Sequence, residues 1–249
     1  MNIRQHIPNL LTLGNLACGV IAIILIATRF DETLGVFLLF LAALFDVFDG
    51  AIARKLGVSG ELGKQLDSLA DVVSFGVAPS VIIYKLLENS LDPEYAWMKY
   101  LAVLNAVCAA WRLANFNLSD DQHKDFRGMP SPANGLLWAS ILSVYAFEKW
   151  YDLNNLAFVL TLPTSLIFTL LIATSMLMIS DVRMFSFKFQ PGGIRANKIQ
   201  AAFGFATLSL LAYAGIQYHN PLMALPFCLL LYIVFSLYYH FFMTEESMD

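Results

Sequence analysis

Long apolar runs, each near the length of a bilayer crossing, recur along this 249-residue chain and are separated by short polar stretches. A crossing takes about 20 mostly apolar residues. Segments that qualify lie at 8–28, 33–54, 65–87, 95–118, 132–151, 154–180, 197–217 and 221–243. The breaks between them are too short for a soluble domain, and no tandem repeat or low-complexity tract intervenes. The pattern therefore predicts an all-α, polytopic membrane helix bundle of about eight transmembrane helices, forming one domain over residues 1–249. The polar start MNIRQHIPN runs into an apolar stretch longer than a signal-peptide core, with no cleavage pattern after it, so the first helix is expected to be retained.

The pattern is interrupted at the facing ends of the second and third segments, where DVFDGAIARKLGVSGELGKQLDSLAD spans residues 46–71. Asp46 and Asp49 are three apart and Asp67 and Asp71 four apart, so each pair lies on one face of its helix. The short loop around Lys55 to Gly63 makes the two helices an antiparallel pair and brings the acids together. An ionisable side chain at membrane depth costs at least roughly 2.5 kcal/mol on insertion scales, so four in one place need compensation. Arg54 cannot neutralise them all. With no His or Cys in the stretch, the donors are all oxygen, which suits Mg2+ or Mn2+. Two carboxylate pairs can hold two such ions, and two-metal sites commonly move phosphoryl groups. A blander reading makes the acids helix caps and interfacial charges. Gly50, Ala53, Gly60 and Gly63, interleaved with them, weigh against it, because small residues let a bulky anion approach the backbone.

Composition agrees with the membrane assignment: mean hydropathy is +0.64, with 58% hydrophobic and 14% charged residues. The net charge of −4 says little about partners, because in such a chain the placement of Lys and Arg matters more than their sum. With the N-terminus inside, Arg4, Arg54, Lys55, Lys64, Arg112, Lys124, Arg127, Arg183, Lys188, Arg195 and Lys198 fall inside, against Arg29, Lys85, Lys99 and Lys149 outside. Both termini and the acid cluster are therefore expected on the cytoplasmic face. Nucleic acid is not an expected partner. Cys18, Cys108 and Cys228 sit singly in apolar runs and read as packing residues. His6, His123, His219 and His240 are scattered, and none begins an HxK motif, so covalent phosphohistidine chemistry has no support.

Asp46, two residues, Asp49-Gly50, two residues, Ala53-Arg54, eight residues, Gly63, three residues, Asp67, three residues, Asp71: this order resembles the full signature of the CDP-alcohol phosphotransferases. The resemblance implies a membrane enzyme that moves a phosphatidyl-type group from a CDP-linked lipid to an alcohol and releases CMP. It implies that Asp46, Asp49, Asp67 and Asp71 hold metal, with Asp71 also the general base. Gly50, Ala53 and Arg54 are implied contacts of the CDP-lipid. Arg54 could otherwise snorkel to the phosphate layer, although a guanidinium is also suited to grip a diphosphate bidentately. In the first segment, Pro8-Asn9-Leu10-Leu11-Thr12 with Asn15 is similar to the family's opening helix, which makes Asn9 and Thr12 CDP-lipid contacts and Asn15 a weaker candidate. N-terminal capping is the competing account of these polar groups. Lys64 reads as a solvated interfacial charge.

Arg112, Asn115, Asn117, Phe126, Gly128, Pro130, Ser131 and Pro132 resemble the phosphatidylserine synthase branch, as does Ser180-Asp181-Val182-Arg183 continuing to Ser186-Phe187-Lys188. The resemblance covers residues 8–190, and the helices at 197–243 add only length and hydrophobicity. It implies CDP-diacylglycerol and serine as substrates and a homodimer, while the positive-inside pattern and the lipid chemistry suggest a prokaryotic inner membrane as the setting. Arg112, Arg127 and Arg183 are unranked candidates for the serine carboxylate. Other acceptors, glycerol 3-phosphate or inositol, remain open within the family. An intramembrane cation transporter is the reading from another class.

Overall fold

The computed structural model describes residues 3–58, 60–118, 127–151, 162–184 and 197–242. Phe126, the Ser186–Lys188 patch, His123, Lys124 and Arg195 lie outside the described residues. Each expected segment corresponds to a helix: α1 (Ile3–Thr28), α2 (Glu32–Leu56), α3 (Glu61–Ser90), α4 (Pro93–Leu118), α5 (Ser131–Tyr151), α6 (Thr164–Ile179), α7 (Lys198–Tyr218) and α8 (Pro221–Phe242). Among the described residues, α2, α3, α4, α7, α8 and the His6–Thr28 part of α1 are long and apolar enough to cross a membrane. At 16 residues, α6 is shorter, and the start of its expected segment lies outside the described residues. The fold is an all-α polytopic membrane bundle.

Local sequence sets the helix ends. Asp31 caps α2, its carboxylate accepting from the Leu34 amide at 2.8 Å. The other end of α2 stops at Gly57, which takes the left-handed conformation (φ 64°), while the Gly57 and Val58 amides close on the Arg54 and Ala53 carbonyls. From the extended Gly60 the chain enters α3 at Glu61, and the acid-bearing ends of α2 and α3 meet.

From Leu137 to Val144 every residue of α5 is buried, which makes this helix the shielded hub of the bundle. Trp138, Leu137 and Leu142 pack there with Ile82, Ile83 and Leu87 of α3 and Ile167 and Leu171 of α6. By contrast α2 turns Phe37, Leu44, Val47 and Phe48 outward, as suits a lipid-facing surface. At the far end of α3, Glu88 gathers Arg29 (3.1 Å), Lys85 (3.5 Å) and Lys99 (3.0 Å). These are three of the four cations expected outside. Glu88 lies about 30 Å along the helix from Asp67, at 1.5 Å per residue.

The two patches singled out after the fourth and sixth segments come together. Arg127 and Arg183 form an isolated antiparallel bridge, the Gly128 amide donates to the Val182 carbonyl (2.8 Å), and the Met129 amide donates to that of Leu177 (3.0 Å). Gly128 has φ 69°, and a Cβ there would lie 2.6 Å from the Met178 carbonyl oxygen and 2.9 Å from that of Ser180. Both obstacles are backbone. Gly128→Ala is therefore expected to destabilise the protein by about 2 kcal/mol or more, lowering the melting temperature in detergent by about 4–8 °C. An unchanged melting temperature would mean the turn is not held as described.

Candidate active site

The first turns of α1 do not behave as a cap. The helix begins at Ile3, so Pro8, Asn9 and Thr12 stand inside it rather than at its N-terminus, and the capping account is overturned. Thr12 is buried, and its hydroxyl donates to Asp49 Oδ2 at 2.6 Å, with the Pro8 carbonyl oxygen at 3.1 Å as the alternative acceptor. Asn15, wholly buried, donates from Nδ2 to Asp71 Oδ1 at 3.2 Å. One face of α1 thus grips one acid from each of the two acid-bearing helices.

Carboxylate oxygens of Asp46, Asp49 and Asp67 lie within 4.8 Å of one another. Asp67 Oδ1 is buried without a hydrogen-bond partner. Asp71 is buried and stands outside this tight trio, one turn further along α3, where Asn15 holds it. Three carboxylates so close repel one another, and a buried carboxylate oxygen without a donor carries its full desolvation cost. A hard divalent cation among these oxygens answers both, so the residues present fit such an ion.

Beside the trio opens a cavity of about 480 Å3. Its wall includes Asn9, Thr12, Asp49, Gly50, Ala53, Arg54 and Asp67, bringing together every residue expected to touch the CDP-lipid, two acids of the trio and the half-buried Lys64. Arg54 folds back over Gly50: a Cβ at Gly50 would lie 3.4 Å from Arg54 Nη1. Likewise a Cβ at Gly63 would lie 3.3 Å from Asn9 Oδ1, so the missing side chain lets α1 close on α3. Lys64 is more than a solvated charge, because its Nζ donates to the Asn117 carbonyl at 2.8 Å and thereby ties α3 to the end of α4. The chemistry of the site is a polar pocket with two cations on one wall and a carboxylate cluster at its edge, suited to a phosphate-bearing ligand that also binds metal.

Comparison with known proteins decides the class: the CDP-alcohol phosphatidyltransferase family matches residues 5–167. The chain belongs to that family. As a CDP-alcohol phosphatidyltransferase, it has relatives along nearly all of its length. A CDP-diacylglycerol–serine O-phosphatidyltransferase of Methanocaldococcus jannaschii is 31% identical over 232 residues, covering 93% of this chain and 91% of its own. One of Bacillus subtilis is 36% identical over 133 residues, or 53% of this chain and 72% of its own. An archaetidylserine synthase of Methanothermobacter thermautotrophicus is 34% identical over 182 residues, 71% and 68% of the two chains. Divalent metals are used in this family, and the Asp trio is the cluster here that could hold one.

Sequence reasoning missed the device that aims Asp71. Directly after it, Val72–Val77 form a wide π-helical turn within α3, with the Ala78 amide reaching back to the Val73 carbonyl. Ser74 of that turn donates to the Asn15 carbonyl (3.1 Å), and the Gly76 carbonyl takes hydrogen bonds from Ser80 (2.9 Å) and Asn105 (3.1 Å). Asn134 of α5 in turn donates to Asn105 Oδ1 at 2.7 Å. The only local sign of this arrangement is a set of lone polar residues in apolar runs.

Proposed function

We propose that this chain transfers the phosphatidyl group of CDP-diacylglycerol to the hydroxyl of L-serine, giving phosphatidylserine and CMP. The observation that carries the reading is the meeting of three signature acids, two of them on the wall of one phosphate-suited cavity, in a chain of this family. Serine as acceptor rests on the relatives, whose names share serine or its product while differing in the lipid.

In this mechanism Arg54 and Lys64 bind the diphosphate, with Asn9, Thr12, Gly50 and Ala53 shaping the pocket for the nucleotide end. Asp46, Asp49 and Asp67 would hold Mg2+ or Mn2+, and Asp71, one turn further along α3, would contribute to a second ion. Bound ions supply charge neutralisation for the diphosphate and for the departing CMP. Asp71 accepts the serine hydroxyl proton as the oxygen attacks the phosphorus bearing diacylglycerol, and the bond from that phosphorus to CMP breaks. Asn15 orients Asp71, and Thr12 orients Asp49.

The whole chain is read as one domain, working as a homodimer in a prokaryotic inner membrane with the acid cluster and both termini cytoplasmic. CMP release by the purified protein with CDP-diacylglycerol and Mg2+ or Mn2+, offered serine, glycerol 3-phosphate or inositol separately, tests the assignment. Release with serine alone is expected. Release only with another acceptor would keep the family and overturn the acceptor, whereas metal flux without CMP release would favour the transporter.

A further inference from the structure

Three arginines offer themselves for the acceptor's carboxylate, and they differ in their surroundings. Arg127 is exposed and pairs with Asp181 at 3.5 Å. Arg183, half-buried, stands opposite it in the backbone bridge, and its amide donates to His240 Nδ1 at 3.3 Å, at the end of α8 and on the far side of the clamped turn from α4. Arg112 points inward from α4 and is partly buried. The register of α4 against α3 fixes its depth. A Cβ at Gly76 would lie 3.1 Å from Ala109 Cβ, and Asn117 Nδ2 donates to Ser68 Oγ at 2.7 Å. Between those two contacts Arg112 comes level with the start of the π turn, beside Asp71. The two side chains form no ion pair among the described residues.

The orientation of the guanidinium is also set. Nε donates to the Met129 carbonyl at 2.7 Å, and Nη2 reaches the Gly128 carbonyl at 3.5 Å, so that edge faces the clamped turn. The other edge, Nη1 with the second Nη2 hydrogen, finds no acceptor among the described residues. Two parallel donors on a fixed plane match a carboxylate. Beside Asp71, Asn15 Oδ1 is buried without a partner and is an acceptor in want of a donor. Tyr232 of α8, from beyond the part of the chain that the family match covers, is buried in the same core cluster as Met129, whose carbonyl holds Arg112.

Resting on the serine reading above, we infer that Arg112 binds the carboxylate of the acceptor amino acid, with Asn15 Oδ1 taking its ammonium, so that the acceptor hydroxyl meets Asp71. In serine only three bonds separate the hydroxyl oxygen from the carboxylate carbon, which suits a gap between a base and a cation that do not touch. The Gly128-Met129 turn is then a positioning element, presenting the free edge of the guanidinium.

The test is steady-state CMP release by the full-length protein with serine and CDP-diacylglycerol varied in turn. Arg112→Gln is expected to raise the serine KM about 10- to 100-fold, while the CDP-diacylglycerol KM moves by about twofold or less. Arg112→Lys, which keeps the charge, is expected to recover part of the loss. Preference for serine over serinol, which lacks the carboxylate, is expected to shrink in Arg112→Gln when the two compete. An unchanged serine KM, or an equal rise in both KM values, would assign Arg112 to holding the turn alone and overturn the inference. Wild-type turnover with serine is the separate control: its absence overturns the acceptor reading itself, whereas its presence with an unmoved variant overturns only the role of Arg112.

Discussion

Asp71→Asn is expected to lower CMP release by about 10²- to 10⁴-fold, the usual worth of a positioned general base, while binding of CDP-diacylglycerol persists. The expectation follows from where the side chain stands. Asp71 lies outside the close trio, so replacing it leaves the oxygens of Asp46, Asp49 and Asp67 in place. It also lies outside the wall of the cavity. Its carboxylate is oriented by Asn15, and an amide at the same position can keep that hydrogen bond through its own oxygen. What the amide cannot do is accept the proton of an attacking hydroxyl. Single-turnover CMP release and CDP-diacylglycerol binding, measured on the same preparation, separate the two effects. A variant with turnover near wild type would remove Asp71 as the base, and one that lost lipid binding to the same degree would make it a ligand-site residue.

The acid signature was legible because charge is conspicuous in an apolar sequence. Asp46, Asp49, Asp67 and Asp71 break hydrophobic helices that nothing else explains, and the short Gly57-containing loop makes their helices neighbours. Helix positions were legible for the same reason, since bilayer length constrains each run. The start of α1 was not, because Pro8-Asn9 reads as a beginning whereas the helix continues back through Pro8 to Ile3. Asn15 was ranked below Asn9 and Thr12, although it is the residue that holds Asp71. Its role depends on a contact between residues 56 positions apart, and no local periodicity reports such a contact. The π turn at Val72–Val77 is equally silent in sequence: it is held by Ser74 on the Asn15 carbonyl of α1 and by Asn105 of α4 on the Gly76 carbonyl, contacts that span three helices. Arg112, Arg127 and Arg183 looked alike as letters. Only the tertiary register separates the one that faces inward.

Removing divalent metal is expected to abolish CMP release and also to loosen the fold, and the second effect identifies the ligands. At 4.8 Å, two ionised carboxylates repel by about 3.5 kcal/mol at an effective dielectric constant near 20. Asp67 adds a buried oxygen that has no donor. The ion therefore stabilises the folded state by binding it in preference to the unfolded chain. Chelation is expected to lower the melting temperature, and Mg2+ or Mn2+ to restore both melting temperature and turnover. Asp67→Asn separates the two roles: it loses about 10²- to 10³-fold in turnover, in line with several kcal/mol of lost charge stabilisation. Without metal it should nevertheless melt above chelated wild type, because one repelling charge is gone and the new amide can donate to Asp46 or Asp49. Its melting temperature should also respond less to added metal. If chelated wild type kept its turnover, or if Asp67→Asn melted below it, the trio would be a structural cluster and the diphosphate would depend on Arg54 and Lys64 alone.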